Sequence, residues 1–320
     1  MKFFETLTSI FALFQSSISV PLSLNSTYMI RYNDFLETYN KDFSQETFEV
    51  FKQNAMLIDS FNEKNESYTM EINQFADTDK IEYDSNMKFE TKGMYYEFED
   101  QIIPEQVDWR EHNAVTHVKD QGHCGGCWAF STTGSVEGIV AIETGKLLNI
   151  SEQQLIDCSG PQGNHGCEGG IMEHGFQYII DNGGICSEED YPYQGVDNQC
   201  QDCETIVDIK KYGDIYPKNE KVLKRAVAQQ PVSVAIQANI SSFRFYKEGI
   251  YSDYNCGDQL DHGVLVVGYG TDEVQNMDYW LVKNSWGKLW GEEGYIRILR
   301  NINDKNGLCG IAMQPTIPLL

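Results

Sequence analysis

Nine cysteines, at positions 124, 127, 158, 167, 186, 200, 203, 256 and 309, constrain this 320-residue chain more than any other feature. In an exported chain most cysteines pair, and a bridge admits only backbones that bring two thiols together. An odd count leaves at least one thiol over. Export is legible at the N-terminus: "MKFFETLTSIFALFQSSISV" (1–20) sets a lysine ahead of a short apolar stretch followed by small residues. That is the layout of a secretory signal, and it is too short for a membrane span. Sequons at Asn25, Asn65, Asn149 and Asn239 are compatible with the same route.

The net charge of -24 leaves no basic footprint, which excludes a nucleic-acid binder, and no later run is apolar enough to cross a bilayer. The acidity suits solubility or an acidic compartment. After the signal, Tyr28, Met29, Tyr32, Phe35, Leu36 and Tyr39 fall at helical spacing. Val50, Phe51, Asn54, Leu57, Ile58 and Phe61 predict a second helix of four or five turns. "INQFAD" (72–77) reads as extended chain, and the charged residues 78–102 as a linker.

From "IPEQVDWR" (103–110) the texture changes, with frequent glycines and cysteines and fewer charge runs. Within "CWAFSTTGSVEGIVAIETG", Phe130, Val136, Ile139, Val140 and Ile142 predict a helix with one core face, and Gly145 suits its C-cap. Cys127 then sits at a helix N-terminus, with Cys124 in the loop ahead of it. Beyond about residue 213, "PVSVAIQA" (231–238), "HGVLVVGYG" (262–270), "DYWLVKNSWG" (278–287) and "GYIRILR" (294–300) read as strands. A helix-rich half therefore precedes a sheet-rich half.

The pair Cys124–Cys127 admits three readings: a redox couple, half of a metal site, or one structural cysteine beside one reactive one. A redox couple needs a thioredoxin-like βαβ context, which is absent. Zinc needs a second ligand pair at suitable spacing, and although Cys158 and Cys167 could be pressed into service, export and the odd count favour bridges. A reactive cysteine needs its thiolate favoured, which a helix N-terminus and a nearby imidazolium both do. Of the six histidines, His262 stands out because it opens an apolar strand, where a polar ring either points into a cleft or is a satisfied core residue. Asn284 ends another apolar strand, where it is either a turn residue or a partner that orients a histidine ring.

The motifs "VKDQGHCGGCWAFSTTGSVEG", "SEQQLIDC", "GCEGG", "DYPYQG", "DHGVLVVGYG", "VKNSWGKLWGEEGYIRI" and "GLCGIAMQP" resemble the papain/cathepsin L family of cysteine proteases, in order, across 103–320. The resemblance implies an α+β fold with a helical domain near 112–213, a β-barrel-like domain near 214–308 and a cleft between them. It implies Cys127 as nucleophile and His262 as its ion-pair partner and later acid. Asn284 would orient His262, Trp286 would shield that hydrogen bond, and Gln121 with the Cys127 N–H would bind the oxyanion. It also implies bridges Cys124–Cys167, Cys158–Cys200 and Cys256–Cys309. Cys186 and Cys203 fall outside the common pattern and are expected as a fourth bridge, with Cys200 and Cys203 close enough to exchange roles.

By the same resemblance Ile171, Met172, Ala235, Leu260 and Gln314 line the pocket for the residue two before the scissile bond. Gly170 holds substrate backbone, and Asp261 and Trp286 flank the substrate. Apolar walls and the small Ala235 imply a preference for Leu, Val or Phe, and a neutral Gln314 attracts Arg less than an acid does. Residues 21–102 resemble the family's inhibitory propeptide through Val50, Phe51, Asn54, Ile58, Asn62, Asn73, Phe75 and Asp77. Phe43, Thr47 and Glu71 depart from it, standing where the family usually carries Glu, Arg and Gly. The expectation is a zymogen that loosens in acid and is cleaved near 100–103. The mature form would be a monomeric endopeptidase that needs no cofactor or metal, binds neither nucleic acid nor membrane, and acts on proteins and peptides in a lysosome-like vacuole or outside the cell. Cystatin-like proteins are expected inhibitors. The competing class is a binding or storage protein on a dead protease scaffold, which Gln121, Cys127, His262 and Asn284 together argue against. Exopeptidase action would need a cleft-blocking insertion, and none separates the motifs.

Overall fold

A computed structural model of the chain describes residues 24–79, 95–96 and 102–320. The secretory signal read at 1–20 and most of the 78–102 linker lie outside the described residues. The chain divides into two compact units, 1–43 and 44–320. In the first, helix α1 spans Leu24–Tyr39. Its Tyr32 ring stacks on Phe35 with centroids 6.0 Å apart and meets Phe43 edge-on at 5.8 Å.

The second unit opens with helix α2, Gln45–Asn62, which buries Phe48, Phe51, Ala55 and Ile58 on one face. Ser44 is its N-cap and accepts the Thr47 N–H, so the helix start is held by local capping. Strand β1 (Tyr68–Met70) follows. Asn62 clamps it, donating its amide to the Met70 carbonyl at 2.8 Å and accepting the Met70 N–H at 2.9 Å. The stretch expected to be extended at 72–77 is a turn over residues 74–77. Asn73 causes it: its Oδ1 accepts the Phe75 N–H and its carbonyl accepts the Ala76 N–H, a side-chain bond that competes with strand pairing.

Strand β2 is Val107–Asp108, and helix α3 runs Cys127–Thr144, ending at a left-handed Gly145. The expected single core face is too narrow a reading. Every α3 residue from Cys127 to Ala141 except Phe130 is buried, because the helix lies between α4 (Glu152–Cys158) and α5 (Met172–Asn182) on one side and the sheet on the other. Gly138 permits that approach: a Cβ there would stand 2.6 Å from Pro231 Cγ. Strands β3 (Ile185–Cys186) and β4 (Thr205–Val207) form a separate two-stranded antiparallel sheet.

The remaining elements are β5 (Lys211–Asp214), α6 (Glu220–Val227), β6 (Val232–Ile236), α7 (Ser241–Arg244), β7 (Tyr246–Tyr251), β8 (His262–Asp272), β9 (Met277–Lys283), β10 (Tyr295–Leu299) and β11 (Thr316–Leu319). They build a sheet in the order β1-β7-β10-β9-β8-β6-β11-β5, with β2 paired to β8. Both ends of the chain from 103 to 320 thus enter the sheet. Among the described residues, four disulfides join Cys124–Cys167, Cys158–Cys200, Cys186–Cys203 and Cys256–Cys309, and Cys127 is free. No helix among the described residues is long and apolar enough to cross a membrane.

Candidate active site

Cys127 is the first residue of α3, and its N-cap Gly126 offers no side-chain hydrogen bond. The terminal N–H groups of the helix therefore face the thiol with their partial positive charge. The Gly263 N–H reaches Cys127 Sγ at 3.4 Å across 136 residues of sequence. His262, the first residue of β8, is buried on the neighbouring position. Its Nε2 lies 2.8 Å from Asn284 Oδ1. That distance brings together the two polar residues that interrupt apolar strands. Asn284 Oδ1 also accepts the Ser285 N–H at 2.8 Å, which fixes the amide's orientation. The Trp286 ring covers the pair, its centroid 4.8 Å from that of His262.

Burial pushes the Cys127 thiol up to about 11 and the His262 imidazole down to about 4, since each would otherwise carry a charge away from water. The Gly263 N–H partly offsets the first shift, and the Asn284 oxygen the second.

Gln121 is buried and pinned at both ends of its amide. Nε2 donates to the Cys124 carbonyl at 2.9 Å, and Oε1 accepts from Ser285 Oγ at 2.6 Å. One amide hydrogen is left over. Tyr193 Oη donates to the Gln121 carbonyl at 2.7 Å. Neither Ser285 nor Tyr193 was singled out by residue type alone. Ser285 lies inside "KNSWG", where a second small polar residue beside Asn284 was the available signal; Tyr193 carries none outside its motif.

Beneath these residues lies a buried ionic cluster. Lys119 Nζ contacts Glu152 Oε1 at 2.6 Å and Glu137 Oε1 at 3.1 Å. Lys283, next to Asn284, donates to Thr116 Oγ1 at 3.0 Å, and Thr116 donates to Glu137 Oε2 at 2.6 Å. Burial alone would lower Lys119, but Glu137 and Glu152 outweigh it and hold the ammonium charged. Burial brings Lys283 down to about 8.

Of the pocket residues named from sequence, Ile171, Met172 and Ala235 are buried and Leu260 is half-buried. Met172, Ala235 and Leu260 pack into the core cluster that includes Trp128. Gln314 has a buried Oε1 without a hydrogen-bond partner. Asp261 turns Oδ1 to the Ala238 N–H at 2.7 Å, and burial raises its carboxyl to about 6.

The segment ahead of residue 103 grips this side of the molecule. Gln74 Nε2 donates to the Trp286 carbonyl at 2.8 Å, and the Phe75 ring meets Trp286 edge-on at 5.1 Å. Asn73 Nδ2 donates to the Arg244 carbonyl at 2.8 Å.

Residues 103–319 match the model of the papain family cysteine proteases, and residues 32–83 that of the cathepsin propeptide inhibitor domain. The cysteine proteinase RD21A of Arabidopsis thaliana is 49% identical over 284 residues, covering 85% of this chain and 61% of its own length. The chain thus spans less than two thirds of that relative. A cathepsin L-like peptidase of Aedes aegypti is 42% identical, with 93% of this chain and 95% of that protein covered. Among solved structures, the proform of the ragweed pollen allergen Amb a 11 cysteine protease superposes with a TM-score of 0.85 at 40% identity, covering 92% and 94% of the two chains. The digestive procathepsin L 3 of Tenebrio molitor larval midgut gives 0.84 at 40%, covering 92% and 100%. The chain belongs to the papain family of cysteine proteases and carries that family's inhibitory propeptide.

Proposed function

We propose that the protein is a cysteine endopeptidase made as a zymogen, with Cys127, His262, Asn284 and Gln121 as its catalytic residues. The observation that carries this is an unbridged thiol at a helix N-terminus that touches the Gly263 N–H, next in the chain to a buried His262 whose Nε2 meets Asn284 Oδ1. Separately, each group prefers to be neutral. Passing the Cys127 proton to His262 brings no net charge into the site, and the resulting ion pair is strong where water is excluded.

The thiolate then attacks the peptide carbonyl, forming the S–C bond and an oxyanion. The Cys127 N–H and the spare Gln121 hydrogen would receive that charge. As the C–N bond breaks, the amine leaves with the proton from His262. Water, losing a proton to His262, cleaves the thioester and restores the thiol. The pocket of Ile171, Met172, Ala235, Leu260 and Gln314, with Gly170, Asp261 and Trp286 at its mouth, favours an apolar side chain two before the scissile bond.

The propeptide ends near residue 102, and the mature halves are 112–213 and 214–308. Four bridges suit the secretory pathway and an acidic vacuole or the exterior, where cystatin-like proteins could meet a monomeric enzyme. The test is turnover of a Leu-Arg fluorogenic amide by the processed chain beside Cys127→Ala. Turnover in the first and none in the second is the expected result; equal rates would sink the assignment.

A further inference from the structure

The propeptide covers both edges of the sheet formed by β2 and β5 to β11. At one, β1 pairs antiparallel with β7. At the other, β5 pairs with β11 on one side only. Its free side forms a parallel bridge between Asp214 and Tyr95, where the Tyr96 N–H donates to the Asp214 carbonyl at 2.8 Å. The Tyr95 ring lies against Tyr216, centroids 5.0 Å apart. Tyr216 is otherwise an exposed aromatic, 60% accessible even with Tyr95 in place.

Removing the propeptide uncovers the Asp214 carbonyl at the edge of β5, beside an aromatic ring. Such an edge takes extended chains by strand addition. From this edge we infer that in the mature enzyme β5 and Tyr216 form an exosite for an extended segment of a polypeptide substrate bearing an aromatic side chain. The occupant follows from the zymogen, in which one chain reaches both Trp286, through Gln74 and Phe75, and Asp214, through Tyr95 and Tyr96. A protein substrate is a chain of the same kind, long enough to engage the cleft and the edge together, and a dipeptide amide is not. Linking two weak contacts on one chain raises affinity without any new contact.

The inference rests on the peptidase reading, so two substrates are compared: a disordered tyrosine-bearing protein, β-casein, and the Leu-Arg amide. In processed enzyme, Tyr216→Ala is expected to lower kcat/KM on casein about 2- to 12-fold, the range of one aromatic pair, with the amide unchanged and Tyr216→Phe restoring casein turnover. Equal effects on both substrates, or none on either, would overturn it. Binding of a synthetic peptide of residues 92–99 to processed Cys127→Ala protein reads the edge without catalysis. Binding that is lost in Tyr216→Ala and absent from the unprocessed chain supports the site; binding indifferent to Tyr216 rejects it. A wild type silent on the amide would instead count against the peptidase reading, and leave the peptide measurement to decide the edge.

Discussion

His262 and Asn284 are 22 residues apart, yet their side chains meet at 2.8 Å under the Trp286 ring. Asn284→Ala removes that orienting contact while leaving Cys127 in place. Its expected signature is a fall in kcat with little change in KM, read by steady-state kinetics on the amide. Gln121→Ala removes the proposed oxyanion donor, and a loss of about 100- to 1,000-fold in kcat is expected. The Gln121 amide is also tied to Ser285 and Cys124. Circular dichroism and unchanged labelling of Cys127 by a peptidyl-fluoromethylketone should therefore accompany that measurement. If labelling fails too, the residue's role is to hold the loop and not to bind the oxyanion.

The elements are held together by charge as well as by apolar packing. Lys119, in the loop before α3, ties Glu137 of α3 to Glu152 of α4. Lys119→Met leaves two buried carboxylates facing each other, and breaking a buried pair in this way costs about 3–5 kcal/mol. Thermal unfolding at pH 7 should show it. Burial already raises Glu152, and without the ammonium its carboxyl rises further. The loss should therefore shrink as pH falls and Glu152 takes up a proton. An equal loss at pH 7 and pH 5 would mean that packing, not charge, dominates.

The whole zymogen raises a question of sign. Glu71 pairs with Lys247 at 2.9 Å beside β1 and β7. Burial raises its pKa, with Lys247 opposing. A carboxyl raised in the docked state contributes most to docking below its ordinary pKa, and that contribution is lost as pH rises through the raised one. Glu71 therefore holds the propeptide better in acid, and an acid trigger has to lie in other groups. Glu71→Gln is expected to leave the rate of propeptide loss at pH 4 within about twofold of wild type, and not to speed it at pH 7. Faster loss at pH 7, followed by gel electrophoresis, would show that the ion pair is a net latch.

Much was legible before any coordinates. The helix starting at Cys127, its stop at Gly145, the four strand runs and the helix at 45–62 follow from periodicity and turn residues, because each depends on neighbours a few positions away. His262 and Asn284 showed themselves as polar residues at the ends of apolar strands. The rest depended on distant partners. The turn at 74–77 looked extended because the side-chain bond of Asn73 is invisible to period-2 reasoning. The all-round burial of α3 comes from the sheet and two helices that the chain supplies later. The Lys119 cluster, the Ser285–Gln121 bond and the Tyr95–Asp214 bridge join residues separated by 18 to 167 positions. Residue chemistry and local spacing thus settled which groups could react and which segments would be regular. Only the packed chain settled their distances, their burial and the edge the propeptide covers, because those terms are contacts between residues that no local pattern relates.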